Sequence, residues 1–203
     1  VVIFYFCLFK IPFDLKFQHP DIFLFQRLKK GNLSALTKLY DKYFESLCNF
    51  AFLFLKDTMS AEEIVDDVFI HIWENREKLF IKTNVKSYLY RSTRNGVISH
   101  LRKNKTRFEA LQLLDNKNQG ARFPLAPDTI MIRKEIASRI ETILQQLPPQ
   151  AGLVFRLHKV DGMRYAEIAE VLDISIKTVE NHMGRALKIF RRIYDENASF
   201  FDD

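Results

Sequence analysis

The chain has 203 residues, a formal net charge of +6 and 47% hydrophobic residues, which allows one or two domains with real cores and excludes wholesale disorder. Six glycines and six prolines are too few for the tight turns of an all-β fold. The two cysteines, Cys7 and Cys48, lie far apart in apolar surroundings without CxxC spacing; this excludes a disulfide framework or zinc finger and points to reduced thiols in the cytosol.

Val1 to Phe9 are uniformly apolar, but Lys10, Pro12 and Asp14 end the run well short of the ~20 residues a membrane span needs. The run also lacks the basic flank and small-residue exit of a signal peptide. Residues 1–20 therefore read as an extension outside the fold, with a partner-binding tail as the alternative, and no membrane insertion is expected.

An apolar helix follows. Asn32 is placed to cap it, and Leu36, Leu39, Tyr40, Tyr43, Leu47, Phe50, Ala51 and Phe54 recur at spacings of three and four, forming one stripe. Lys56-Asp57-Thr58 breaks the pattern. Ser60-Ala61-Glu62-Glu63 then fits a capping box, Ser followed three residues later by Glu. The helix it opens buries Ile64, Val65, Val68, Phe69, Ile72 and Trp73. After a loop over 79–84, Asn84 can cap a third helix through Tyr88, Leu89, Ile98 and Leu101 to about Lys103.

Charge on these helices comes in blocks. Residues 57–77 carry seven acids and one base, Arg76, whereas residues 78–107 carry nine bases and no acid. Such blocks can pair within a fold, or serve two partners, one basic and one a polyanion. The bases are interleaved with Tyr88 and Tyr90. Cations and planar rings are what single-stranded DNA requires, a stacked base being worth about 1–3 kcal/mol; either tyrosine can equally belong to the core.

Residues 104–129 mix Asn, Lys, Gln, Gly and Pro with weak periodicity, as a flexible linker does, and would reach about 85 Å at roughly 3.3 Å per residue. Periodicity returns at Ile130, Ile132, Ile136, Ile140, Ile143, Leu144 and Leu147 and stops at Pro148-Pro149. Helices over about 150–159, 164–172 and 176–194 follow, then an acidic tail over 196–203. The expected fold class is all-α: two small helical domains joined by a flexible linker.

Residues 165–187 have helix-turn-helix spacing. Ile168, Ala169 and Leu172 face inward, and Asp173 occupies a turn where a left-handed backbone is needed. Ile174 plugs the turn, Ser175 caps the second helix, and Val179 and Met183 lock it to the core. Lys177, Thr178, Glu180, Asn181, His182 and Arg185 remain outward, a polar set suited to base edges and phosphates of duplex DNA.

Catalytic signatures are missing: no P-loop, no GxGxxG, no metal-ligand cluster and no Ser/His/Asp or Cys/His constellation. Asp66 and Asp67 diverge by about 100° on a helix and cannot converge on one substrate atom. His71 sits in the acidic helix without a partner at ligand spacing, and His182 reads as a groove contact or surface residue and not a metal ligand. An enzyme, a cofactor and a metal are not expected.

Three stretches, SAEEIVDDVFIHIWENREKL, SYLYRSTRNGVISHLRK and LPPQAGLVFRLHKVDGMRYAEIAEVLDISIKTVENHMGRALK, together resemble the sigma-70 family of bacterial RNA polymerase initiation factors, in its extracytoplasmic-function (ECF) group. They cover about residues 22–103 and 131–192 in the family's order. The resemblance implies sigma region 2 over 21–103, the linker 104–129 and region 4 over 130–195. It implies a cytoplasmic protein that binds core RNA polymerase, directs it to promoters and assists melting, with an anti-sigma factor as a further partner. Glu63, Asp66, Asp67, Phe69 and Trp73 match the helix that docks on the polymerase clamp. Phe80, Lys82, Thr83 and Asn84 match the loop that captures a flipped base, and Lys86, Arg91, Arg94, Asn95 and Arg102 the helix that holds the non-template strand. The helix over 176–188 would read the upstream promoter element. Departures are Ser99 and His100, where the family often has an acid and an aromatic, and Gly96, which replaces an apolar residue and should cost about 1 kcal/mol against Ala. The alternative is a stand-alone helix-turn-helix regulator with an N-terminal dimerisation or sensing domain.

Overall fold

The computed structural model describes residues 20–81, 84–103 and 146–196. Among these there are seven helices and no strand. Residues 1–19 of the expected extension at 1–20, the linker 104–129, the periodic stretch 130–145 and the tail beyond 196 lie outside the described residues.

Helix α1, Pro20–Lys29, is an addition to the expected elements, and it begins at the last residue of the stretch read as an extension outside the fold. It ends where Gly31 adopts φ 80°, with Gly31 N–H donating to Leu28 O at 2.8 Å and Asn32 N–H to Arg27 O at 3.1 Å. This paired closure needs a left-handed residue, which glycine supplies. Phe25 and Leu28 enter the core. Asp21 is buried with them, accepting from Tyr43 Oη at 2.5 Å and from Lys42 Nζ at 2.6 Å. A buried carboxylate needs such partners, and they tie α1 to α2.

Helix α2, Leu33–Leu55, starts as expected: Asn32 Oδ1 accepts from Ala35 N at 3.0 Å. It buries Leu39, Tyr43, Leu47, Phe50 and Ala51 and closes on a left-handed Lys56 at φ 56°. Helix α3, Thr58–Glu74, corrects one expectation. Its cap is Asp57, not Ser60; Asp57 Oδ2 accepts from Ser60 N at 3.0 Å and from Ser60 Oγ at 2.5 Å. Once Lys56 has turned the chain, the extended Asp57 is the first residue able to aim a carboxylate at free N–H groups. Ser60 thus donates within the first turn instead of opening it.

Helix α4, Val85–Lys103, lies against α2 and α3 through Val85, Leu89, Tyr90, Val97 and Leu101. Gly96 permits this approach. A Cβ there would stand 2.7 Å from Ile64 Cγ2, closer than real side chains come. The glycine therefore does not carry the simple penalty that helix propensity assigns it.

The second bundle comprises α5, Pro149–Lys159, α6, Tyr165–Leu172, and α7, Ile176–Glu196. Asp173 adopts φ 57° and ψ 47°, and Ser175 Oγ accepts from Thr178 N at 3.0 Å. Ile168, Ala169, Leu172, Val179 and Met183 are buried, as the helix-turn-helix spacing requires. The two bundles do not stand apart: α4 runs alongside α6.

Gly96→Ala should lower stability, because overpacking against a branched side chain costs about 1–3 kcal/mol while alanine regains only about 1 kcal/mol of helix propensity. Thermal unfolding should show a fall in Tm, and combining it with Ile64→Ala should cost less than the two changes summed. An unchanged or higher Tm for Gly96→Ala would refute the close approach. Separately, Asp57→Ala should cost about 1 kcal/mol by denaturant titration, more than Ser60→Ala.

Candidate nucleic-acid interface

The outward side of α3 is a stripe. Glu63, Asp67, Ile70 and Glu74 follow at helical spacings of four, three and four, and all are exposed. Ile70 is 54% exposed, and Met59 is exposed near the start of the same helix. Asp66, at the edge of the stripe, accepts from Tyr40 Oη at 2.9 Å. Burial, reinforced by that bond and by the charge of Asp66, raises the Tyr40 pKa to about 12, so Tyr40 remains a donor at neutral pH. Trp73 is half-buried, with the Arg76 guanidinium 4.5 Å above its ring.

Phe69 is placed differently from the other four residues expected on this surface. It is 4% exposed and meets Tyr40 edge-on at 5.0 Å between ring centres. It holds the stripe from beneath, while Ile70 is the apolar group on the surface. The one-residue offset was readable, since position 70, not 69, shares the spacing of Glu63 and Asp67.

Beyond α3, Phe80 is 77% exposed. Lys82 and Thr83 lie outside the described residues. Asn84 is buried and does two things: Oδ1 accepts from Lys86 N at 2.9 Å, capping α4, and Nδ2 donates to Glu167 Oε1 at 2.7 Å in the other bundle. Lys86 Nζ donates to the backbone oxygen of Asp161. Burial holds the Lys86 pKa below its ordinary value. Arg91 Nη1 lies 3.6 Å from Glu170 Oε1. Arg94 is half-buried, whereas Asn95 and Arg102 are exposed. Of the two tyrosines, Tyr90 is fully buried against Phe50, at 5.2 Å between ring centres, and Tyr88 is half-buried. Tyr90 therefore belongs to the core and offers no stacking face.

Glu167, which the sequence reading passed over, is central to this contact. Burial opposes its ionisation, but hydrogen bonds from the Arg164 N–H, Asn84 and the Arg164 side chain outweigh it, and its pKa falls below the usual carboxylate value. Oε2 accepts from Arg164 N at 2.7 Å, so the residue also caps α6. A sequence signal existed in the spacing 164–167 at a helix start, but no pattern in sequence pairs 167 with 84.

On α7, Lys177, Glu180, Asn181 and Arg185 are exposed, and Lys177 Nζ lies 3.2 Å from Glu180 Oε2. Thr178 and His182 are half-buried and turned toward α4, where they line a cavity of about 400 Å³ with Arg94, Val97, Ile98 and Asp173. Elsewhere, burial and then the charges of Glu62, Asp66 and Glu45 push the Cys48 thiol up to about 12, which leaves it protonated and a poor nucleophile. Among the described residues no three of His, Cys, Asp and Glu converge as a metal site requires, and no helix is long and apolar enough to cross a membrane.

Comparison with known proteins finds two family models on the chain: Sigma-70 region 2 over residues 39–107 and Sigma-70, region 4 over residues 137–189. The ECF RNA polymerase sigma factor SigW of Bacillus subtilis (strain 168) is 24% identical over 173 residues, 82% of this chain and 92% of that protein. Two solved structures share the fold. CnrH in complex with the cytosolic domain of CnrY has TM-score 0.55 and 22% identity, over 87% of this chain and 98% of that one. The sigma factor RpoE in complex with the anti-sigma factor NepR, from Bartonella quintana, has TM-score 0.53 and 19% identity, over 78% and 96%. With both regions matched in order over more than half its length, the chain belongs to the sigma-70 family, among the ECF sigma factors.

Proposed function

We propose that the chain binds core RNA polymerase in the cytoplasm, carries it to specific promoters and assists melting, without making or breaking a bond itself. The observation that carries this reading is the adjacency of two unlike surfaces on α3 and α4, one acidic with an exposed isoleucine and one basic, beside a helix-turn-helix. Region 2 is taken as 21–103 and region 4 as 130–195.

Each surface has a physical task. Glu63, Asp66, Asp67 and Trp73, with Ile70 between them, suit a basic partner that offers an apolar pocket, which is how polymerase would be held. Phe69 acts from below by fixing the helix. Extruding a base costs a few kcal/mol, and stacking on an aromatic ring returns about 1–3 kcal/mol. Phe80 is the exposed ring for that capture, and Lys82, Thr83 and Asn84, which follow it in sequence, complete the capturing loop. Lys86, Arg91, Arg94, Asn95 and Arg102 would neutralise and orient the released strand. Lys177, Thr178, Glu180, Asn181, His182 and Arg185 would read duplex in the major groove. An anti-sigma factor, as seen with the structural relative RpoE, is a further partner for these surfaces.

Purified core polymerase should transcribe from specific promoters only when this protein is added; no association in a pull-down would refute the reading. Asp66→Lys with Asp67→Lys should weaken the association at least about tenfold, the scale of one or two lost charge pairs at a partly desolvated surface. Ile70→Ala should weaken it with little change in Tm, whereas Phe69→Ala should lower stability by about 3–5 kcal/mol. Arg94→Ala should leave polymerase binding intact and reduce permanganate reactivity of promoter thymines. Unchanged melting in that variant would remove α4 from the single-strand role.

A further inference from the structure

Past the end of α3 the chain alternates. Leu79 and Ile81 are half-buried and packed against the core, whereas Phe80 between them is 77% exposed. Apolar anchors on either side turn the middle side chain of an extended segment the other way, and here that puts an aromatic ring in solvent. The backbone is fixed as well. Lys78 and Leu79 N–H both donate to Asn75 O, at 2.9 and 3.0 Å, and Leu79 O accepts from Lys29 Nζ at 2.8 Å. That carbonyl lies beyond the end of α3, and its partner comes from α1, 50 positions earlier. Lys29 is itself held: it is the last residue of α1, which is locked at its start by Asp21 on Tyr43 and Lys42 and closed by the left-handed Gly31.

We propose that Lys29 is a positioning residue for base capture: its ammonium holds the Leu79 carbonyl so that Phe80 stands at a fixed angle to receive an unstacked promoter base. This rests on the capture role proposed for Phe80. Helix α1 then takes part in promoter selection without contacting the base, although it lies outside the region 2 match over 39–107. Stacking needs the ring in one orientation, and a segment free to swing offers that orientation only part of the time. Apparent affinity for the captured base falls by that fraction. An ammonium donating to a carbonyl is a charge-assisted bond, stronger than a neutral one, and this one is partly shielded from water. Lys30, the next residue, carries the same charge and is exposed, so it separates the effect of this bond from that of a nearby cation.

The test uses the full chain assembled with core polymerase, and fluorescence anisotropy on a labelled single-stranded DNA oligonucleotide that the parent selects from a random pool. Each base in turn is replaced by an abasic site. The captured base is the one whose loss weakens binding by the parent but not by Phe80→Ala. Lys29→Met keeps the apolar stem and removes the donors, and Lys29→Gln, whose amide falls a bond short of the carbonyl, is a second variant. Lys29→Arg retains a cationic donor, and Lys30→Met removes the neighbouring charge. At the captured position the abasic penalty should shrink about three- to tenfold in Lys29→Met and Lys29→Gln, as it does when the receiving form is kept about a third to a tenth of the time. It should persist in Lys29→Arg and Lys30→Met, with penalties at other positions unchanged in all four. A full penalty in both Lys29→Met and Lys29→Gln would overturn the positioning role. So would a uniform weakening on every oligonucleotide that Lys30→Met reproduces, the mark of a phosphate contact. If no position distinguishes Phe80→Ala from the parent, the capture role fails and this inference with it; that outcome is read from Phe80→Ala alone, which keeps the two failures apart.

Discussion

Helix α4 is held from two sides, and most of the molecule's arrangement depends on that. Its rear packs so tightly on α3 that position 96 has no room for a Cβ beside Ile64. Its front, near the N-terminus, meets α6 through Asn84 and Arg91, and the turn before α6 through Lys86. A helix placed this way must be apolar behind and cationic in front, with its start capped by a residue that can also face another bundle. Asn84 satisfies both demands because an amide has an acceptor for the helix N–H and a donor for a carboxylate.

The acidic surface on α3 follows from the same constraint. Close packing of α3 on α4 buries Ile64, Val65, Val68, Phe69 and Ile72, which turns Glu63, Asp67, Ile70 and Glu74 outward. The acids of α3 and several bases of α4 are thereby left at the surface. The proposed function assigns these unlike blocks to two partners. The cations of α4 instead meet the acids of region 4, which arrive from far along the chain.

Much of this was legible in the amino-acid pattern. Asn32, the left-handed turn at Asp173 and the Ser175 cap lie where spacing placed them, because capping and turn chemistry act over three or four residues. The buried stripe of α2 and the interior of the helix-turn-helix were likewise readable from periodicity. Local signals failed where two of them competed. Ser60 looked like a cap, but the left-handed Lys56 made Asp57 the better-placed acceptor. Phe69 and Ile70 are neighbours in sequence, and only the packing against Tyr40 decides which is core and which is surface. Tyr90 met the composition of a stacking platform and turned out to fill the core beside Phe50.

The order of charge blocks, the helix-turn-helix and the absence of catalytic signatures were properties of the sequence alone, since each depends on residue type and spacing along one element. That reading sufficed to name the family and to divide the net charge of +6 into an acidic face and basic ones. Only the tertiary structure decided that Glu167 and Glu170 meet Asn84 and Arg91, that Gly96 is a contact and not a defect, and that Thr178 and His182 turn toward α4. The reason is physical: these contacts join residues tens of positions apart, and no local propensity or periodicity encodes which surfaces of two bundles will come to share a boundary.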